Sequence, residues 1–238
     1  MLPAVHTCFG RQFLSIMESG TIDVGEFDTV IKKNAAFFFY GKPSYRPRND
    51  GRFRTDIWSA LFAFVIDYSL LGCPDGILPF DSGGYERFYK NVCDNAPIEE
   101  YYLRQDKESP ARVVNAFFGN NDSYYDMEIR GDLSNRISKL DFHSDSIRNI
   151  CAAGATEYDH RAASIEMHYV KHITLDRNNL LAIVGPDTAL EDREVEAFAD
   201  ALGAERVPYR LDRDNVDARQ RQVRDATREW LGKSGRVY

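Results

Sequence analysis

Hydrophobic and polar positions are most regular in the last third of the chain. "AASIEMHYV" alternates with the two-residue period of a strand, and "LLAIVGP" is a short apolar run that suits a buried strand. "LEDREVEAFADALG" repeats its apolar residues at helical spacing and stops at Gly203, a natural C-cap. "RVPYRL" reads as a further strand and "VDARQRQVRDATREWLG" as a closing helix. Residues 180–211 therefore have the order of a β-α-β unit.

Nearer the start, "LPAVHTC" predicts a short strand. "FGRQFLSIMESG" sets Phe9, Phe13, Ile16 and Met17 on one helical face and ends at Gly20. "TVIKKNAAFFFYGKP" ends in an aromatic strand, with Pro43 and Pro47 marking a loop beyond it. "WSALFAFVIDYSLL" fits a buried strand or a short helix, and periodicity does not separate the two. "IEEYYLRQ" and "SPARVVNAFFGN" read as helical, the second with Ser109 as N-cap and Pro110 at the first helical position. "CPDGILPFDSGGYERF" is turn-rich, and "NNDSYYDMEIRGDLSN" reads as loop. No internal repeat or Ser/Gly-rich linker divides the chain, so residues 1–238 are expected to form a single domain.

Composition narrows the class. Of 238 residues 43% are hydrophobic and 28% charged, which is globular and not disordered. A net charge of −7 argues against a globally basic nucleic-acid binder, although a local patch could still serve. Cys8, Cys73, Cys93 and Cys151 are scattered without a CxxC pair, as expected of reduced thiols in the cytoplasm. The N-terminus has no charged segment followed by an apolar run. The longest apolar stretch is broken by Ser59, Asp67 and Ser69, so no membrane partner is expected.

The stretch "HRAASIEMHYVKHI" holds the unusual residues: Glu166, His168 and His172 interrupt an apolar strand. In an extended strand His168 and His172 lie about 13 Å apart, too far to share an ion, so no metal is expected. Alternation puts Glu166 opposite Ile165 and Met167, on one face with Ser164 and His168. It could face a cleft there, or stand in solvent on an edge strand. His6 could equally be a satisfied structural histidine, and the tyrosines core residues. There is no G-x-S-x-G elbow or Walker A loop. "DSGGYER" is the one phosphate-like glycine signal, and it reads more simply as a tight turn.

Three segments in order resemble the ADP-ribosyltransferase superfamily, nearest to its DarT-like, DNA-modifying toxins. They are His6-Thr7 with the helix from Gln12 to Gly20, the aromatic strand Phe37–Lys42, and Arg161 with Glu166. Lys42 stands where that family has arginine, and "R-A-A-S-I-E" is longer than the family's "R-x-A-E". The resemblance spans some 60 residues and leaves 55–155 unmatched. It implies an α+β fold, a split, mainly antiparallel sheet with flanking helices and a cleft between the halves. It also implies transfer of ADP-ribose from NAD, as a toxin or phage-defence effector, with an antitoxin or regulatory protein as partner.

On that resemblance Glu166 would stabilise the ribosyl cation. Lys42 would be the second catalytic group. His6, Thr7, Tyr40, Tyr45 and Arg46 would contact NAD. Ser164 stands where arginine-directed members carry Gln or Glu, which turns the expected acceptor away from protein arginine. "KPSYRPRNDGRFR" is basic and interleaved with aromatics, so Arg48, Arg52 and Arg54, with Ser164 and His168, would meet a nucleic-acid acceptor. Two alternatives stay open: an NAD glycohydrolase with water as acceptor, and a non-catalytic nucleotide-binding sensor built on the β-α-β unit, which lacks G-x-G-x-x-G.

Overall fold

The computed structural model describes residues 1–45, 57–138, 140–157, 159–212 and 218–235. Strand β1 (Ala4–Phe9) leads into helix α1 (Gly10–Ser19), which ends at Gly20 with φ +65°, the left-handed cap expected of a glycine. The short strands β2 (Thr21–Ile22), β3 (Phe27–Asp28) and β4 (Lys33–Asn34) precede the aromatic strand β5 (Ala36–Tyr40). The ambiguous apolar run is strand β6 (Leu61–Ile66), buried on both faces. Next come β7 (Gly76–Leu78) and the single turn α2 (Ser82–Gly84). A helical region follows, with α3 (Ser109–Val113), α4 (Asn121–Asp126) and α5 (Phe142–Glu157). Strands β8 (Glu166–Tyr169), β9 (Ile173–Thr174) and β10 (Leu180–Pro186) lead to α6 (Asp187–Leu190), α7 (Arg193–Leu202), β11 (Glu205–Tyr209) and α8 (Ala218–Lys233).

The architecture is mixed α/β, with a mainly antiparallel seven-stranded sheet in the order β11-β10-β6-β1-β5-β8-β7 and helices flanking it. Only β10 and β11 run parallel, as the right pairing for a β-α-β crossover. β1 pairs with β6 through six residues, from Ala4↔Ile66 to Phe9↔Leu61. It meets β5 through only Ala4↔Tyr40 and Val5↔Phe39. The array is therefore continuous but narrowest between β1 and β5. Where the two strands part, His6 Nδ1 sits 2.9 Å from the Phe37 carbonyl oxygen.

Several local expectations change. The 121–126 segment read as loop is α4: the Asn120 side chain accepts from Ser123 N at its start, and Tyr124 and Tyr125 anchor it in the core. "IEEYYLRQ" forms only a 3₁₀ turn over Ile98–Tyr101, because Leu103 N then turns to bond the Ile77 carbonyl at the sheet edge. Ser109 is not the N-cap of α3; Glu108 is, and the Ser109 hydroxyl bonds the Arg104 carbonyl. Strand β8 begins at Glu166, since His160–Ala163 is a 3₁₀ turn capped by Asp159.

Helix α5 packs its Gly154 against that turn. A Cβ there would overlap the Ala162 side chain and lie 2.9 Å from the Asp159 carbonyl oxygen. Helix propensity favours alanine over glycine by about 1 kcal/mol. Overpacking a tight contact costs about 1–3 kcal/mol and wins here. Gly154→Ala should thus lower the melting temperature by several degrees in a thermal melt followed by circular dichroism. An unchanged or raised midpoint would mean that α5 does not clamp the turn.

Candidate functional site

The β5–β8–β7 ladder sets Phe39, Glu166 and Leu78 in one row, and Val5 extends that row across β1. All four side chains share a sheet face. One step along each strand, His6 belongs to the other face, where its ring lies 5.4 Å from that of Phe38. His6 and Glu166, expected to meet on one substrate, thus lie on opposite sides of the sheet.

Glu166 is neither in solvent nor open to a cleft: it is 2% exposed. Its Oε1 is 2.5 Å from His168 Nε2, and its Oε2 accepts from Ser82 N at 3.0 Å. A lone buried carboxylate would be prohibitive, and these two donors make it tolerable. His168 is buried too, between the rings of Phe37 and Tyr102, and its Nδ1 has no protein partner.

Ser82 belongs to the turn "DSGG", and its neighbour Asp81, 9% exposed, is the residue of that turn whose carboxylate is raised at a cleft wall. Asp81 Oδ1 accepts from Gly84 N at 2.6 Å, and Oδ2 accepts from the Ser44 hydroxyl at 3.3 Å. Burial, then the Glu166 carboxylate behind it, push the Asp81 carboxyl up to about 7; Arg161 opposes them. Arg161 is itself held in a two-pronged pair with Asp159, at 2.9 and 2.7 Å, and Tyr89 donates to the same carboxylate. Its guanidinium lies 5.0 Å from the Phe88 ring centre.

Asp81 and Arg161 line a cleft of about 460 Å³ together with Thr29, Tyr45, Arg87 and Asp28. Tyr45 is 36% exposed and packs edge-to-face with Phe9, ring centres 4.8 Å apart. Arg87 is exposed and has no ion-pair partner among the described residues. A second cleft, of about 490 Å³, opens beneath α1 on the His6 face. Asp28 lines both.

The remaining expected site residues are placed as follows. Thr7 is buried on the Glu166 face, its hydroxyl without a partner. Tyr40 is core: its hydroxyl accepts from Leu2 N, and its carbonyl accepts from the Tyr124 hydroxyl. Lys42 is fully buried, donates to the Tyr124 carbonyl at 2.9 Å and lies 4.1 Å from the Tyr124 ring centre. Burial lowers its ammonium to about 7, and it lines neither cleft. Ser164 is buried and donates to the His160 carbonyl. Arg46, Arg48, Arg52 and Arg54 lie outside the described residues. Among the described residues no three His, Cys, Asp or Glu side chains converge as metal ligands, and no helix is long and apolar enough to cross a membrane.

Sequence reasoning passed over Asp81. The signal was the Asp in "DSGGYERF", an N-cap residue ahead of a helical stretch, which a tight-turn reading leaves without chemistry. The chain matches no protein-family model, no curated protein and no solved structure.

The raised Asp81 carboxyl has a linkage consequence. The folded protein keeps this proton up to about pH 7, while the unfolded chain releases it near pH 4, so the stability contributed is full in acid and is lost as pH rises through 7. Asp81→Asn keeps the acceptor for Gly84 N and removes the titration. Relative to the native protein, its melting temperature should therefore gain between pH 5 and pH 8. A difference that is flat, or falls with pH, in thermal melts across that window would contradict the assignment.

Proposed function

We propose that the protein is a glycosyl-transfer enzyme acting on NAD, with its chemistry in the Asp81 cleft. The observation that carries this reading is the carboxylate pair: Asp81 at the cleft wall, backed by the buried Glu166 and flanked by Arg161. The resemblance adds weight, because its three segments, far apart in sequence, lie on the neighbouring strands β1, β5 and β8.

In this reading the negative charge of the pair faces the ribosyl cation that forms as nicotinamide leaves. A carboxyl near 7 can also take the proton of an incoming acceptor at neutral pH. Arg87 and Arg161 would hold the pyrophosphate. Glu166 acts through Asp81 as a positioning residue: it pins the 81–84 turn and raises its neighbour's proton affinity. His6 lines the other cleft and has no part in this reading. A nucleic-acid acceptor would have to be gripped without Lys42, which is buried. An effector role, as a toxin or in phage defence under the control of a partner protein, belongs to the same proposal.

The test is labelled NAD offered with separate pools of DNA, RNA and protein. Nicotinamide release with label in one pool identifies a transferase and its acceptor; release without label identifies water as acceptor. No release in any pool, from folded protein, would overturn the reading.

Two variants check the roles. Asp81→Asn should cost at least about a hundredfold in turnover with the fold retained, the scale of losing a general acid–base group. Glu166→Gln removes the charge that lifts Asp81, so the acid limb of its pH–rate profile should move to lower pH. A Glu166→Gln profile of native shape would separate Glu166 from the chemistry.

A further inference from the structure

The second cleft takes no part in the chemistry proposed above, and it lacks the arginines that line the first. We infer that the His6 cleft is a binding site for an organic cation, an ammonium or guanidinium carried on a short apolar stem. This inference stands on the geometry of that cleft and does not depend on NAD chemistry.

The floor is set by His6. Its Nδ1 lies 2.9 Å from the Phe37 carbonyl oxygen, a contact that requires the proton to be on Nδ1. Burial disfavours a second proton, although the carbonyl favours it. Nε2 is therefore a fixed acceptor on a cleft wall. Carboxylates surround it. Asp23 and Glu26 line the cleft, are exposed and have no ion-pair partner among the described residues. Asp28 Oδ1 accepts from Val30 N and Ile31 N, which fixes its side chain at the cleft edge.

No Lys or Arg lines this cleft among the described residues. The nearby cations are drawn elsewhere: Lys32 pairs with Glu99 at 2.7 Å, and Lys33 lies 5.8 Å from the Tyr102 ring centre. Fixed acceptors and uncompensated carboxylates would repel an anion and attract a donor-rich cation. The walls are apolar, with Ile16, Ile22 and Val24, and suit a hydrocarbon stem. Phe27, 59% exposed at the rim, offers a ring face to the charge. At about 490 Å³ the cleft is large enough for such a ligand.

A free diamine-type metabolite and a basic side chain share this chemistry, so the test carries both. Agmatine and N-acetylarginine methylamide are titrated into the full chain by calorimetry at low salt, with butylurea as the uncharged control. One saturable site with a dissociation constant of about a millimolar or tighter is expected for a cation, with none for butylurea. Tighter binding of agmatine assigns a free cation, and tighter binding of the arginine derivative assigns a side chain; either supports the site. The double variant Asp23→Asn, Glu26→Gln changes only exposed groups and should weaken binding about tenfold. Asp81→Asn should bind the cation as the native chain does, which separates this site from the NAD cleft. Absence of saturable binding by both cations, equal binding of butylurea, or native affinity in the double variant would each overturn the inference.

Discussion

Glu166 is the constraint around which this half of the molecule is organised. A carboxylate buried on β8, next to the edge strand of the sheet, can persist only if donors reach it, and the chain supplies two from different elements. His168 comes from the same strand two residues on, so alternation delivers it automatically. Ser82 N comes from 84 residues away, and its bond fixes where the "DSGG" turn rests on the sheet. That placement brings Asp81 beside Glu166, and the proximity of two carboxylates raises the outer one. The acid at the cleft wall is thus a product of the one buried behind it. Removing Glu166 would release the turn and change the Asp81 carboxyl together.

The narrow β1–β5 junction sets the second feature. With only two residue pairs, the strands separate at His6 and Phe37, and room appears beneath α1. The His6 bond to Phe37 O satisfies the carbonyl that a longer ladder would have paired. The sheet then separates two electrostatic environments. Arg87 and Arg161 stand with Asp81, Glu86 and Asp28 at one cleft, and Asp23, Glu26 and Asp28 with His6, and no basic residue among the described ones, at the other.

Several strands were legible from apolar runs, although β6, buried on both faces, stayed open between strand and helix, and β7 fell in a segment read as turn-rich. The helix α1 with its Gly20 cap, the aromatic strand and the β-α-β unit all follow from period and capping residues. The common face of Glu166 and His168 followed from alternation alone. What a sequence pattern does not carry is which face of one strand meets which face of another. That register placed His6 and Glu166 apart, although each residue stood out singly. Lys42 shows the same limit: a basic residue after an aromatic strand looks available, yet Tyr124, 82 positions later, encloses it. Helix α4 was missed because its polar surface hides two tyrosines that pack inward, with hydroxyls donating to the Tyr40 and Gly41 carbonyls. Such tertiary anchors override a loop-like composition.

The wall between the clefts is the β3–β4 hairpin, and its support is local. Asp28 closes the tip through Val30 N and Ile31 N, while Gly25 N bonds the Ala35 carbonyl and Asn34 Nδ2 the Gly25 carbonyl. Among the described residues its long-range ion pair, Lys32 with Glu99, joins side chains 70% and 50% exposed, and such pairs contribute about 0–1 kcal/mol. Ile31 is the residue of the tip that reaches the core. The hairpin is thus internally rigid but weakly tied to the body, so it opens at lower cost than the strands beneath it. Because Asp28 borders both clefts, a displacement of this element as a unit would alter both together, whereas substitutions within either cleft would leave the other intact.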